Sequence, residues 1–322
     1  MSGMWGNHFR IAIFGESHGK AVGVTVHGLP AGIAVDEDLI RRELRRRAGG
    51  YDQFSTPRRE ADEFQILSGI FEGKTAGSPI CCVIPNTDVR SKDYDKIKAY
   101  MRPSHADYTA RVKYDGYNDY RGGGHFSGRV TAGLVVAGAL AKTYLNLRGV
   151  TVAGEITDGG LDEKITAAKA AGDSVGGVVR VTAAGVAAGV GEPFFDSAES
   201  IIAHLLFSVP GVKGVEFGTG FALAHMRGSE ANDAIYTENG RILTRTNHSG
   251  GINGGITNGM PLVVQAAFRP TPTIAATQDT VDITAMENVA YAAEGRHDPC
   301  IARRAVVVAE SAVAIGLAEL ML

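Results

Sequence analysis

The pattern of apolar and polar positions along the chain predicts eight β-strands. Each segment shows a period of two, or a short apolar run rich in β-branched residues, as partly and fully buried strands do. The strands fall near residues 9–14, 21–27, 64–69, 79–85, 150–155, 177–184, 212–218 and 260–268.

Four further segments show the apolar spacing of α-helices. They cover residues 36–47, 127–148, 197–208 and 302–321. The first opens with Asp36 and Asp38 and the second with Ser127, residue types that favour helix N-termini. The last segment is apolar on almost every side, which predicts a helix buried at the centre of the fold.

Two stretches of the chain share one pattern, which suggests an internal duplication. Residues 24–44 and residues 179–206 each read as a strand, a G-x-x-A-G turn and an acidic-capped amphipathic helix. A long apolar helix follows in each half. Sheets packed around buried helices, in the α/β (α+β) class, would account for this pattern. Chance similarity between two glycine-rich turns is the alternative.

Composition and organisation predict one globular domain. The chain is 44 % hydrophobic and 21 % charged, which suits a folded protein. No linker rich in Pro, Ser or charge separates the halves. We therefore expect a single domain over residues 1–322, with halves of roughly 1–150 and 151–322.

Charge and cysteine content argue against several classes of function. The formal net charge of −3 provides no general basic field for nucleic acid. Cys81, Cys82 and Cys300 lack paired spacing, so we expect neither a disulfide framework nor a thiolate zinc site. The N-terminus lacks a secretory signal, and the longest apolar stretches contain charged residues. We expect a cytoplasmic protein with no membrane span.

Glycine is enriched and marks loops that can approach a ligand closely. The chain has 42 glycines, nearly double the usual ~7 %. They cluster in HGLPAG (27–32), RGGGH (121–125) and SGGINGGITNG (249–259). Glycine in such loops adopts positive φ and leaves room beside the backbone.

The turn GESHG at residues 15–19 admits several interpretations. It has three residues between its glycines and no Ser or Thr after Lys20, so it is not a nucleotide phosphate loop. It matches the nucleophile elbow G-x-S-x-G, but a strand follows where that motif needs a helix. Two interpretations remain open: a plain polar turn, or a turn that presents His18 as a general acid.

Two other loops bring histidine or aspartate beside Pro. RPSHAD places His105 between Arg102 and Asp107, and GRHDPC places Arg296 and His297 before Asp298. Solvated loop residues are the ordinary interpretation of each alone, but three such loops favour a shared catalytic cleft. No H-E-x-x-H or similar spacing occurs, so we predict no protein-held metal.

Arginine clusters favour a small, multiply anionic ligand. RRELRRR at 41–47 contains Arg46 and Arg47, and Arg129 follows the glycine run. Guanidinium groups that face a cleft bind phosphate or carboxylate, whereas a solvated helix face is the default for such runs. Basic and aromatic residues do not interleave, which argues against nucleic acid. The loops FRPTPT (268–273) and NHSGGINGG (247–255) either line a planar cofactor or are ordinary surface loops.

Seven co-linear motifs resemble the chorismate synthase family. They are GESHG (15–19), RPSHADYT (102–109), DYRGGG (119–124), GDSVGG (172–177), VKGVEFG (212–218), NHSGGINGGITNG (247–259) and GRHDPC (295–300). The resemblance implies a β-α-β sandwich and a homotetramer. It implies 1,4-anti elimination of phosphate from 5-enolpyruvylshikimate 3-phosphate, which gives chorismate in the shikimate pathway. It also implies reduced FMN as cofactor, and an external flavin reductant is expected because no nicotinamide fingerprint is present.

The resemblance also implies residue roles. His18 resembles the acid that protonates the leaving phosphate, His105 the histidine that protonates or stabilises reduced flavin near N1, and Asp298 the carboxylate that helps deprotonate flavin N5. The implied substrate ligands are Arg46, Arg47 and Arg129. The implied flavin contacts are His125, Phe126, Ser127, Pro210, Gly211, Gly254, Arg269, Pro270, Thr271, Pro272, Thr273 and Arg296.

The chain departs from the family pattern at a few positions. Ser104 stands where the family usually has glycine, His125-Phe126-Ser127 where it usually has Arg-Ser-Ser, and Asp52 or Gln53 where it often has arginine. The three implied proton-transfer residues are all present, which predicts an active enzyme. A binding protein without turnover and a flavin enzyme with its own nicotinamide site are the alternatives.

Overall fold

Strands and short helices alternate through most of the chain in the computed structural model, which describes residues 3–49, 61–87, 98–293 and 298–322. The strands of the described residues are β1 (Met4–Trp5), β2 (Arg10–Gly15), β3 (Ala21–His27), β4 (Gln65–Ser68), β5 (Ile70–Phe71), β6 (Lys74–Thr75), β7 (Ile80–Pro85), β8 (Thr151–Ile156), β9 (Gly177–Ala184), β10 (Val212–Phe217), β11 (Ile235–Glu238), β12 (Arg241–Thr244), β13 (Ile252–Asn253), β14 (Ile256–Thr257), β15 (Leu262–Phe268), β16 (Gln278–Asp282) and β17 (Glu287–Tyr291).

The α-helices of the same residues are α1 (Glu37–Arg47), α2 (Asp107–Lys113), α3 (Thr131–Asn146), α4 (Leu161–Ala170), α5 (Ala198–Ser208), α6 (Gly228–Ala231) and α7 (Ala302–Met321). Short 3-10 segments cover Arg121–Phe126, Gly128–Val130, Phe194–Asp196 and Gly220–His225. No helix in the described ranges is both long and apolar enough to cross a membrane.

Two antiparallel sheets form the outer layers. The first has the strand order β1-β2-β3-β7-β4 and the second β10-β15-β9-β8. Ile13 pairs with Val24 across β2 and β3, and Val181 pairs with Val264 across β9 and β15. Alternate strand residues are buried, as expected where one face of a sheet covers a core.

The two long helices form the middle layer. α3 packs on β3, α7 packs on β8 and β9, and the two helices pack against each other. Close approach depends on Gly138 of α3, because a Cβ there would lie only 2.2 Å from Cβ of Ser311 in α7. The order sheet, helices, sheet confirms the predicted β-α-β sandwich of the α+β class.

A buried charged cluster ties α1 to both central helices. Glu310 of α7 accepts hydrogen bonds from Arg46 of α1 and from Lys142 of α3, and Glu43 of α1 also accepts from both cations. Burial alone would raise the pKa of Glu310, but these ion pairs outweigh burial and hold its pKa below the ordinary value. The Arg46 side chain stays 42 % exposed, but its guanidinium is engaged by these two carboxylates.

The two halves share one strand order. β2, β3, β7 and β4 lie side by side in the first sheet, and β8, β9, β15 and β10 follow the same order in the second. α1 follows β3 as α5 follows β9, and α3 and α7 end the halves. This correspondence supports the predicted internal duplication and single domain, which stay predictions.

The hydrophobic pattern located the main elements, and its omissions share a cause. All eight predicted strands lie within two residues of observed ones, and three of the four predicted helices begin within one residue of theirs. The second begins later, at Thr131, because Ser127 caps the preceding 3-10 turn by accepting a hydrogen bond from the Arg129 amide. Sequence analysis missed α2, α4 and the hairpins β11–β12 and β16–β17, which have weak apolar periodicity.

Candidate active site

A cavity of about 270 Å³ lies where helix ends from both halves converge. The C-terminal ends of α1 and α5 and the N-terminal ends of α3 and α7 contribute to its wall. Of the predicted site residues, those that line this cavity are Arg47, His105, Phe126, Ser127, Arg129, Pro210, Gly211, Arg269, Thr271, Pro272, Thr273 and Asp298. The structure thus brings most of the sequence-predicted site to one place.

Two arginines of the first half share a buried carboxylate behind the cavity wall. Arg47 donates a hydrogen bond to Asp62 at 2.6 Å, and Arg129 forms a close ion pair with the other oxygen of Asp62. All three side chains are at most 3 % exposed. Burial alone would raise the pKa of Asp62, but the two arginines hold its pKa below the ordinary value. Asp62 therefore orients two guanidinium groups that line this side of the cavity.

Arg269 is the fourth guanidinium of the cavity, beside Arg47, Arg129 and Arg304. It lines the cavity, and among the described residues its side chain makes no hydrogen bond or ion pair. Burial lowers its pKa. Beside it, the buried Oγ1 of Thr271 has no hydrogen-bond partner in the described part of the chain. A half-buried cation and an orphaned hydroxyl indicate a ligand with acceptor groups.

The GESHG turn connects β2 to β3 and is held by neighbouring loops. The Ser17 amide donates to the Gly124 carbonyl at 3.0 Å, and His125 Nδ1 lies 2.8 Å from the Gly15 carbonyl oxygen. The His18 ring packs against Gly122, which lines the cavity, although His18 is not itself a lining residue. His18 is 7 % exposed. The turn therefore carries a buried imidazole that packs against a lining residue of the cavity.

His105 is fixed by an aspartate and an arginine of its own loop. Its Nδ1 lies 2.6 Å from Asp107 Oδ1, and Arg102 donates to both oxygens of Asp107 at 2.7 and 2.8 Å. These bonds hold the pKa of Asp107 below its ordinary value despite burial. An ionised carboxylate only accepts, so His105 Nδ1 carries a proton. Burial is the main cause that lowers the pKa of His105, which leaves the ring neutral near pH 7.

The glycine run packs against both histidines. A Cβ on Gly122 would lie 2.4 Å from the His18 ring, and a Cβ on Gly123 would lie 3.2 Å from the His105 ring. Both glycines have positive φ, at 58° and 83°. Consecutive Cα atoms are about 3.8 Å apart, so the two imidazoles flank one short loop. This placement explains why the sequence has glycine there.

Asp298 and the first turn of α7 form the second-half wall of the cavity, next to Arg47. Arg304 donates to Asp298 Oδ2 at 2.6 Å and to the Arg47 carbonyl at 2.8 Å, so it joins the two halves at the cavity. Sequence analysis missed Arg304, although a charged residue at the start of an otherwise apolar helix was a usable signal. Arg296, Asp52 and Gln53 lie outside the described residues.

Other predicted site residues lie apart from this cavity. Arg46 faces the Glu310 cluster, Gly254 lies in the turn between β13 and β14, and Pro270 packs near Gly176. None of the three lines the cavity, and we do not carry them into the proposed site. His125 lines an adjoining cavity of about 690 Å³, with apolar walls that include Trp5.

The two cavities share one boundary. The shared residues are His105, Phe126, Ser127, Thr131, Val209, Pro210, Gly211 and Arg269. One compartment is therefore rich in arginine and the other is wider and more apolar. No cluster of metal-ligating side chains occurs within the described ranges. An arginine-lined cavity flanked by two imidazoles is typical of enzymes that perform acid–base chemistry on small anionic ligands.

Comparisons with known proteins identify the family. The chorismate synthase family model matches residues 9–161 and 155–322. A chorismate synthase of Thermococcus kodakarensis is 46 % identical, with 99 % of this chain and 97 % of that protein covered. One of Chitinophaga pinensis is 48 % identical, with 99 % and 96 % covered.

A crystal structure of chorismate synthase has a TM-score of 0.77 and 29 % identity, covering 99 % of this chain and 93 % of that one. The chain belongs to the chorismate synthase family and is thus a lyase of aromatic amino acid biosynthesis.

Proposed function

We propose that the chain eliminates phosphate from 5-enolpyruvylshikimate 3-phosphate to give chorismate, with reduced FMN as cofactor. The observation that carries the proposal is the charge of the cavity. Among its described lining residues are four arginines, Arg47, Arg129, Arg269 and Arg304, and a single carboxylate, Asp298. The substrate carries one phosphate and two carboxylates, and guanidinium groups bind both kinds of anion through paired hydrogen bonds.

The phosphate is assigned to the first-half side of the cavity. Arg129 stands at the start of α3, where helix amides and the helix dipole also favour an anion. Asp62 fixes both Arg47 and Arg129 from behind, so neither cation reorganises when the anion binds. His18 lies behind Gly122 on the same side and is assigned to protonate the departing phosphate oxygen.

The elimination removes two groups from opposite faces of the ring. The carbon–oxygen bond to phosphate breaks, and a different ring carbon loses its proton. The electrons of that carbon–hydrogen bond complete the diene. His18 supplies the proton taken up by phosphate. Asp298, on the second-half side of the cavity, is assigned as the final acceptor of the ring proton.

The residues present fit a planar cofactor that carries anionic and polar groups. The wider cavity is lined by apolar side chains such as Trp5 and Leu134, and it meets the arginine-rich one at Arg269 and His105. Reduced FMN, when bound, supplies a transient electron and a proton acceptor at N5. Phe126, Pro210 and Gly211 would form its apolar wall. Arg269 and the Thr271 hydroxyl would bind its polar edge, and neutral His105 would offer Nε2 for a hydrogen bond.

The setting of the reaction is also part of the proposal. We expect a cytoplasmic homotetramer that obtains reduced flavin from an external reductant. Phe194 and Phe195 are 85 % and 90 % exposed in one turn, and such pairs favour burial in an assembly. Oxidation of NADPH by the purified protein with FMN would show that reduction is intrinsic. Sedimentation velocity would report the assembly size.

An anaerobic assay tests the proposed activity. The purified chain is mixed with pre-reduced FMN and 5-enolpyruvylshikimate 3-phosphate, and phosphate and chorismate are quantified. We expect the two products in equal amounts, and neither product when FMN is supplied oxidised without a reductant. Absence of phosphate with reduced FMN would refute the proposed function and favour a binding protein.

A further inference from the structure

The side chain of Asn86 joins the turn that carries His18 to Arg129. Asn86 directly follows β7, and its Nδ2 donates to the carbonyls of Glu16 and Gly19, each at 2.9 Å. Its Oδ1 accepts a hydrogen bond from Arg129 Nε at 2.9 Å. Sequence analysis did not single out Asn86, and it does not line either cavity.

The chemistry of the amide fits this place. A carboxamide has two N–H donors and an oxygen acceptor, and here both donors face carbonyl oxygens while the oxygen faces a guanidinium N–H. The partners therefore fix which end of the amide is nitrogen. A carboxylate at this position could serve Arg129 but not the two carbonyls. No other residue type of similar size satisfies all three partners.

The three hydrogen bonds hold the backbone on both sides of His18 and one edge of the Arg129 guanidinium. Glu16 and Gly19 flank Ser17 and His18 in the turn, so the amide holds the backbone on both sides of the imidazole. The same arginine is fixed by Asp62 at another of its nitrogens and by the Pro85 carbonyl at 3.3 Å. Asn86 thus sets the distance between the proposed acid and a proposed phosphate ligand.

We propose that Asn86 is a positioning residue that couples His18 to Arg129 at the leaving group. This inference rests on the proposed function for its kinetic consequence, but its structural consequence stands apart from it. Loss of the amide lets the GESHG turn move relative to the arginine. The acid then no longer meets the phosphate oxygen that Arg129 orients.

The experiment uses the full chain in five variants, one of which is His18→Ala alone. Asn86→Ala removes all three bonds, and Asn86→Asp keeps the acceptor for Arg129 but loses both donors to the turn. Gln265→Ala is the matched control, because Gln265 is a half-buried amide that accepts from Arg180 and donates to Glu216 away from both cavities. Asn86→Ala in the His18→Ala background completes a double-mutant cycle.

Two measurements are made on each variant. The first is kcat/KM for phosphate release under anaerobic conditions with pre-reduced FMN. The second is hydrogen exchange of a peptide that covers residues 15–20, whose amides include the hydrogen-bonded Ser17 and Gly19. Exchange needs no activity, so it remains a test if wild-type chain releases no phosphate. In that case the proposed function fails while the positioning claim is still decided.

We expect Asn86→Ala and Asn86→Asp to lower kcat/KM by about 10- to 100-fold, since misplacement by about 1 Å can cost 100-fold. In the His18→Ala background the same change should cost about threefold or less, because the residue it positions is gone. Exchange at residues 15–20 should rise in both Asn86 variants and stay unchanged in Gln265→Ala. Unchanged exchange, or an equal kinetic loss in both His18 backgrounds, would overturn the proposal. If the alanine variant does not fold, the aspartate variant decides in the same way.

Discussion

The two halves of the molecule have the same strand order but contribute different chemistry to the cavity. In the first half, β2 and β3 are joined by residues 16–20, a tight turn that carries His18. In the second, the corresponding strands β8 and β9 are joined by residues 157–176, which contain α4 and no proposed site residue. Equivalent strands thus support the turn of the proposed acid in one half and a helix without proposed site residues in the other.

The helix ends repeat this contrast. α1 ends at the cavity with Arg47, whereas α5 is followed there by Val209, Pro210 and Gly211. α3 begins beside Arg129, and α7 begins beside Ile301 and brings in Arg304, which is paired with Asp298. A repeated framework thus converges on one shared cavity, where each half supplies two of the four arginines and the second half supplies most of the apolar wall.

The largest expected effect is loss of the first-half acid. His18→Ala should lower kcat by about 10²- to 10⁴-fold, the usual contribution of a positioned general acid, in the anaerobic phosphate-release assay. Lys164→Ala, an exposed change in the corresponding second-half connection, is the control and should keep full turnover. Equal losses in both variants would break the contrast between the connections.

Removal of the buried anion tests the charge of the first half. Asp62→Asn leaves Arg47 and Arg129 without their shared counter-ion and should cost about 3–5 kcal/mol of unfolding free energy, measured in urea. Glu37→Gln, which breaks an exposed pair with Arg41, should cost about 1 kcal/mol or less. A loss for Asp62→Asn no larger than for the control would show that the cluster is not a paired core.

The same carboxylate predicts a pH dependence. The folded pKa of Asp62 is lowered from 3.8, so its contribution to stability is fully present above that value and is lost as pH falls toward the folded pKa. Wild-type stability should therefore fall more steeply than that of Asp62→Asn on acidification below about pH 4. Parallel curves in urea unfolding at several pH values would contradict this assignment.

A smaller effect tests the glycine run between the histidines. Gly122→Ala places a Cβ against the His18 ring, so kcat should fall by about 10- to 100-fold through displacement of that ring. Gly149→Ala is the matched control, because Gly149 also has positive φ, at 74°, but open space around a Cβ. The control should lose only about 1 kcal/mol of stability and keep its turnover. Full turnover by Gly122→Ala would contradict the placement of His18.

The smallest expected effect concerns the loop of His105. Ser104 has φ of 57°, a conformation that glycine adopts without strain. Ser104→Gly should therefore raise the unfolding free energy by about 0.5–1 kcal/mol after the entropy of the unfolded chain is considered. Ser104→Ala retains the strain and should bring no gain. Lower stability of Ser104→Gly in urea unfolding would contradict this prediction and indicate that the serine hydroxyl stabilises the loop.

Sequence pattern predicted much of the fold because strands and buried helices have a strong apolar period. It also singled out His18 and His105, since glycine or proline frames each loop, and their roles stay predictions. It did not distinguish the position of Arg46 from that of Arg47. Adjacent helix residues point about 100° apart, and only tertiary packing shows which of the two contacts Glu310.

Asp62 and Asn86 were missed for a related reason. Each lies outside any periodic segment and acquires its role only from partners brought close by folding. Arg129 is 67 residues from Asp62 and 43 from Asn86 in sequence, so no local spacing links them.

The most direct test of the central claim is the crystal structure of the complex with 5-enolpyruvylshikimate 3-phosphate and oxidised FMN. We predict that the substrate phosphate contacts Arg129 on the first-half side, next to Gly122 and the His18 turn, with the flavin in the wider cavity. A phosphate bound instead at Arg304, without contact to Arg129, would contradict the account.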